Sequence, residues 1–89
     1  MEGHAHIASD VLARYAADAA REVPGVTALV GRHGGVRVEG ARLELHLAVE
    51  WGASIPQVGE AVQRRVVEYL AQMADVRPEA VDVVVEEVA

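Results

Sequence analysis

The stretch from Leu43 to Trp51 constrains the fold more than any other part of this chain. Leu43, Leu45, Leu47, Val49 and Trp51 share one parity, while Arg42, Glu44, His46, Ala48 and Glu50 share the other. Side chains of an extended backbone alternate between faces, so the pattern predicts a long strand with one covered and one largely wet face. A helix would scatter the same five apolar residues around its circumference. A sheet that is greasy on one side needs a second layer, which the flanking segments must supply.

Two flanking segments have helical period. Ser9 reads as an N-cap, with Asp10 in the first turn where an acid suits the positive helix end. Leu12, Tyr15, Ala16, Ala19 and Val23 then form one stripe, and Pro24-Gly25 stops the helix. Ala13, Ala17 and Ala20 are assigned to its outer side, as a smooth strip that another helix could approach closely. The second helix opens at Ser54-Ile55-Pro56-Gln57, where Ser54 and Gln57 have capping-box spacing and Pro56 loses no hydrogen bond. Its stripe is Val58, Ala61, Val62, Val66, Tyr69, Leu70 and Met73; it ends near Ala74-Asp75, and Pro78 forbids continuation.

Further strands are predicted at Val26–Val30, Val36–Glu39 and Val81–Val85, the last with Asp82 and Glu86 on its other side. Arg32–Gly35 reads as a loop and Gly40-Ala41 as a tight hairpin turn. A short strand around His4 to Ala8 is a further option. The expected architecture is a single domain, residues 1–89, folded as a two-layer α+β sandwich. Two helices pack on one face of a three- to five-stranded, mostly antiparallel sheet.

Chemistry is harder to find. A chain of 89 residues buries only about 60–65% of its unfolded surface. With no Phe, its core is built of Val, Ala and Leu, which leaves little volume for a deep ligand cavity. No Cys is present, which excludes disulfides, thiolate metal sites and a cysteine nucleophile. His4 and His6, with His33 or His46, are the candidate metal ligands, but nothing in the sequence holds them near one another. Glu44 and Glu50 belong to a solvated strand face, and Glu86 and Glu87, adjacent in a strand, point to opposite faces. Ser9, Ser54 and Thr27 stand in no nucleophile-elbow sequence, and Gly34-Gly35 precedes a strand where a phosphate loop needs a helix. Trp51 is placed by parity at the edge of the core in preference to a surface anchor. Arg64, Arg65 and Arg77 lie among Glu60, Glu68 and Glu79 and make no basic patch. No catalytic, cofactor-binding or metal-ligating residue is therefore assigned, and no cofactor is expected.

The net charge of -6 repels phosphate backbones, so nucleic acid is not an expected partner. Met1-Glu2-Gly3-His4 lacks the start of a secretory signal, and no apolar run approaches the roughly 20 residues of a membrane span. The expected location is cytoplasmic, with any membrane contact made through a partner and no direct insertion.

The order of motifs resembles the alkaline shock protein family of Gram-positive envelope stress proteins. The resemblance is carried by Val36-Arg37-Val38-Glu39, Val49-Glu50-Trp51-Gly52, Ser54-Ile55-Pro56 and Val62-Gln63. Ser9-Asp10-Val11, Arg21-Glu22-Val23-Pro24-Gly25-Val26 and Val81–Val85 extend it over about Gly3 to Val88. Trp51 stands where tyrosine is more usual, Ala74-Asp75 where threonine-glycine is common, and Asp82 where asparagine is frequent; lysine is absent. The resemblance implies a non-catalytic cytoplasmic protein of cell-envelope homeostasis and stress. It implies self-association into a homo-oligomer, and recruitment to the membrane by a separate membrane-protein anchor. The leading expectation is thus a protein–protein interaction domain, using an exposed sheet face or edge and the alanine strip of the first helix. The alternative is a small RNA-binding α/β module, which lacks the basic groove and stacking aromatics such binding uses.

Overall fold

In the computed structural model, which describes residues 8–89, the alternating segment becomes the central strand of a single sheet. The elements run α1 (Ser9–Arg21), β1 (Val26–Leu29), a 3-10 turn (Arg32–Gly35), β2 (Val36–Glu39), β3 (Arg42–Val49), α2 (Ile55–Ala74) and β4 (Ala80–Val88). β4 pairs with β3 in parallel from Arg42↔Ala80 to Val49↔Val88, with a register shift between Leu47 and Ala48 that leaves Glu86 without a partner in the ladder. That occupies one edge of β3. The other edge is shared by β2, antiparallel against Arg42 to Leu45, and β1, antiparallel against Leu47 to Val49. β1 and β2 are therefore two halves of one interrupted strand. Between them the Val30 N–H donates to the His46 carbonyl at 2.9 Å, so β3 advances by one residue while residues 31–35 loop out.

The α+β sandwich expected from the sequence is what forms. Leu43, Leu45, Leu47 and Val49 are buried beneath Leu12, Ala16, Ala19 and Ala20 of α1 and Val58, Val62, Val66 and Leu70 of α2. α1 lies over β1 and β2, α2 over β4, and the two helices pack on each other. Val81, Val83 and Val85 of β4 complete the layer beside the leucines. Polar ties fasten its margins. Arg65 donates to Glu22 through Nε at 2.9 Å and Nη2 at 2.6 Å, and its guanidinium lies 5.2 Å from the Tyr69 ring centroid. Tyr69 meets Tyr15 of α1 edge to face at 6.0 Å. Gln63 Nε2 donates to the Val81 carbonyl at 2.9 Å, joining α2 to β4.

Helix α2 begins as its sequence requires: Ser54 is the N-cap and accepts from the Gln57 N–H, with Pro56 in the first turn. Helix α1 does not begin with a side-chain cap. Ala8 occupies the N-cap without one, and Ser9 is already helical, which corrects the capping role assigned to Ser9. The alanine strip is also corrected. Ala17 and Ala20 are buried and Ala13 is half-buried, because α1 is flanked by the sheet on one side and α2 on the other. Met73 leaves the apolar stripe for solvent: Val58, Val62, Val66 and Leu70 recur every fourth residue, and Ala74 takes the next inward place. The suggested strand around His4 to Ala8 falls, but for Ala8, outside the described residues.

Asp75 ends α2 in a left-handed conformation at φ +53, and its N–H and that of Val76 both reach the Leu70 carbonyl. A Cβ is disfavoured there, which is why helices commonly use glycine in this place. Among the described residues the Asp75 side chain pairs only with Arg77, and both are well exposed. Asp75→Gly is therefore expected to stabilise the domain by about 0.5–1 kcal/mol, measured as a higher urea midpoint with an unchanged slope.

Candidate interaction surfaces

Three surface features survive once the core is closed. The first is the sheet face opposite the helices. His46 projects from β3 with Glu44 two residues before it, and the β3–β4 register brings Glu86 to its other side. His46 Nδ1 lies 2.5 Å from Glu86 Oε2, and Nε2 lies 3.3 Å from Glu44 Oε1. The Glu86 bond, then the Glu44 bond, favours the imidazolium and raises the His46 pKa above its ordinary 6.5. Strand alternation alone makes His46 an unremarkable solvated side chain. It gives the correct face, but the partner 40 residues away depends on a register that no local pattern supplies.

The folded state thus holds the His46 proton more tightly than the unfolded chain. Its contribution to stability is full below about pH 6.5 and fades as pH rises through the higher folded value. All three side chains are partly exposed, so the effect is on the order of 0.2–1 kcal/mol. Urea midpoints measured from pH 6 to 9 are expected to fall through this window, and His46→Gln is expected to remove that part of the slope.

His33 shares a cleft of about 430 Å³ with His46, Glu44 and Glu86, on the loop that interrupts the edge strand. Proximity does not make these residues a metal site. Glu86 and Glu44 sit at opposite nitrogens of the His46 ring, so they do not converge on a point one ion could occupy. Among the described residues no group of three or more His, Asp or Glu has the disposition to hold a metal ion. His4 and His6 lie outside the described residues.

The second feature is the end of the sheet where β3 stops. Val49 is the last strand residue, and the chain turns through Trp51-Gly52, with Gly52 at φ +89. The Trp51 N–H donates to the Ala89 carbonyl at 2.7 Å, which pins the backbone while the indole stands out, 80% exposed. This corrects the core-edge placement of Trp51, whose parity no longer holds beyond the strand. Ile55, at the start of α2, and Val88, at the end of β4, are also exposed.

The third feature is a groove of about 670 Å³ between α1 and the edge strand β2. Its apolar lining includes Ala13, Ala17, Val36 and Val38, and Arg14, Arg21 and Arg37 stand around it. The remaining candidates do not gather. Arg65 is held by Glu22 and Arg77 by Asp75, Ser54 is spent on its cap, and Glu87 pairs in register with Ala48, away from Glu86 and His46.

These surfaces belong to a two-layer α+β domain of a recognisable kind. A histidine-to-alanine variant of the MamM-CTD superposes with a TM-score of 0.58 at 19% identity, covering 92% of this chain and 99% of that one. The manganese form of a second MamM CTD variant gives 0.60 at 21%, covering 90% and 99%. The zinc form of a third gives 0.62 at 22%, covering 90% and 85%. At these identities the likeness is one of fold. No match was found among curated protein sequences.

Residues 32–89 match the model of the alkaline shock protein family, described as having a cell envelope-related function. The chain belongs to that family, as its motifs indicated. No helix among the described residues is long and apolar enough to cross a membrane.

Proposed function

We propose that this chain is a non-catalytic protein-interaction domain of cell-envelope homeostasis or stress, which self-associates and reaches the membrane from the cytoplasm through a membrane-protein anchor. The observation that carries the reading is the exposure of Trp51, the only tryptophan, at 80%. A large indole left in water while its backbone is held costs hydration free energy that a partner can recover, and tryptophan is enriched where partners bind most tightly. Family membership supports the setting.

Light scattering of the purified chain tests self-association. The expected result is a mass above the monomer at high micromolar concentration and a return toward monomer with Trp51→Ser. A strict monomer under the same conditions, with no partner captured through Trp51, contradicts the proposal.

The zinc and manganese forms of the MamM CTD variants suggest metal binding as a second reading. The divergent placement of Glu44 and Glu86 about His46 speaks against it here. The RNA alternative gains no support, because one exposed tryptophan and an acidic surface are a poor match for stacked bases and phosphates.

A further inference from the structure

We propose that β4 pairs edge to edge with β4 of a second copy, antiparallel about a twofold axis at Val83, with the two α2 helices meeting at Gly59. The inference rests on the self-association reading and names the surface that performs it. Among the described residues β4 pairs with β3 alone, so its outer edge has no strand partner. The Glu79 N–H donates inward to the Ala41 carbonyl, and alternation then turns the N–H groups of Asp82 and Val84 outward. Such unpaired groups along a valine-rich strand are a template for another strand about 4.8 Å away.

Charge and the bulge decide the register. The charged residues of β4 are Asp82, Glu86 and Glu87. An axis at Asp82 or at Val84 sets carboxylates directly opposite one another, which is unfavourable. One at Val85 runs the pairing into Glu86, where the ladder is broken. An axis at Val83 sets Asp82 across from Val84 and Val81 across from Val85. Each valine of the helix-facing layer then gains an apolar neighbour.

The helix above the edge points to the same place. Gln63 reaches from α2 to the Val81 carbonyl, whereas Arg65 and Tyr69 meet α1. The flank over β4 is thus carried by Gly59, Gln63 and Val67, one turn apart and without charge. Glycine weakens a helix, yet among the described residues nothing lies within 4 Å of a Cβ added at Gly59. No internal contact requires it, and a bare backbone suits close approach from outside. α2 returns the chain between two parallel strands, so it runs opposite to β4. One turn back from Gln63 is about 6 Å, or roughly two residues along β4, which brings Gly59 level with Val83. A lone added strand would leave Gly59 open, whereas a twofold partner brings its own Gly59 there. Edge and flank form a wall of roughly 30 by 15 Å, so two copies cover about 900 Å². Trp51, exposed where β4 ends, brings the contact to about the 1,000 Å² that a specific interface needs.

The chain has no cysteine, so single introduced thiols report without ambiguity. Val83→Cys places two thiols across a strand pair at a Cα separation of about 4.5 Å, which a disulfide spans. Under mild oxidation it is expected to cross-link about tenfold faster than Val81→Cys or Val85→Cys alone, while those two cross-link when mixed. Gly59→Gln, which has room within one copy, is expected to raise the dimer dissociation constant about tenfold in sedimentation equilibrium, with circular dichroism unchanged. In the unsubstituted chain, amide exchange at Asp82 and Val84 is expected to slow as concentration rises, a readout that survives any misfolded variant. Equal cross-linking at all three positions, association indifferent to Gly59→Gln, or exchange independent of concentration overturns the proposal. If these fail while the chain still self-associates through Trp51, the edge assignment falls and the self-association reading stands; a strict monomer removes both.

Discussion

Leu45→Ala is expected to destabilise the domain by about 3–4 kcal/mol, the largest effect of any single truncation in this fold. Leu45 is fully buried in the middle of the central strand, paired to Val36 on one side and Val83 on the other. Both helices rest on its face of the sheet. The neighbours cannot collapse readily into the space, because strands hold it from both sides and the surrounding core is made of valine, alanine and leucine with no Phe to swing inward. A domain of this size has about 5–13 kcal/mol in total, so the loss is a large share of its stability. Thermal unfolding is expected to shift down by roughly 12–30 °C. Leu12→Ala, at the margin of the same core, is expected to cost visibly less. Equal losses at both sites would show that the core is not organised around β3.

Gly35→Ala is expected to cost about 2–4 kcal/mol, with no side chain removed. Gly35 closes the loop that interrupts the edge strand, at φ +81, where an L residue is strained. A Cβ there would also lie 2.9 Å from the Leu29 Cβ and from both the N and O of Val30. Two of those three atoms are backbone, held by the pairing of this edge with β3, so they cannot swing away as a flexible side-chain tip does. Gly34→Ala is the matched control: its φ is also positive, but nothing lies within 4 Å of an added Cβ. It is expected to lose only the conformational part, about 1 kcal/mol. Chemical denaturation of the two variants separates strain from collision.

The same residues show how much of the molecule its sequence discloses. The strand Arg42–Val49 was legible because one face is buried, which imposes a period of two. Helix α2 was legible from Ser54 to Ala74 because cap, proline and stripe agree. The joining of β1 and β2 into one interrupted edge was not. A five-residue excursion at Gly31–Gly35 resembles any loop, and nothing local says that both flanking segments pair with the same strand. Trp51 was misplaced by carrying strand parity past the point where the strand ends; Gly52, which adopts a positive φ, was the available signal. The His46–Glu86 contact and the groove beside β2 depend on register and on the width of the α1 contact. Both are settled by tertiary packing.

Most of the apolar surface of the helices and strands is spent on the core, and the proposed function places binding at the indole left outside. Affinity capture from a native cell extract, run in parallel with the wild-type chain and Trp51→Ser and quantified by mass spectrometry, tests it most directly. The predicted result is at least one envelope-associated protein retained by the wild type and lost with the variant, while circular dichroism of the two chains stays the same. Identical capture profiles for two equally folded chains would contradict it.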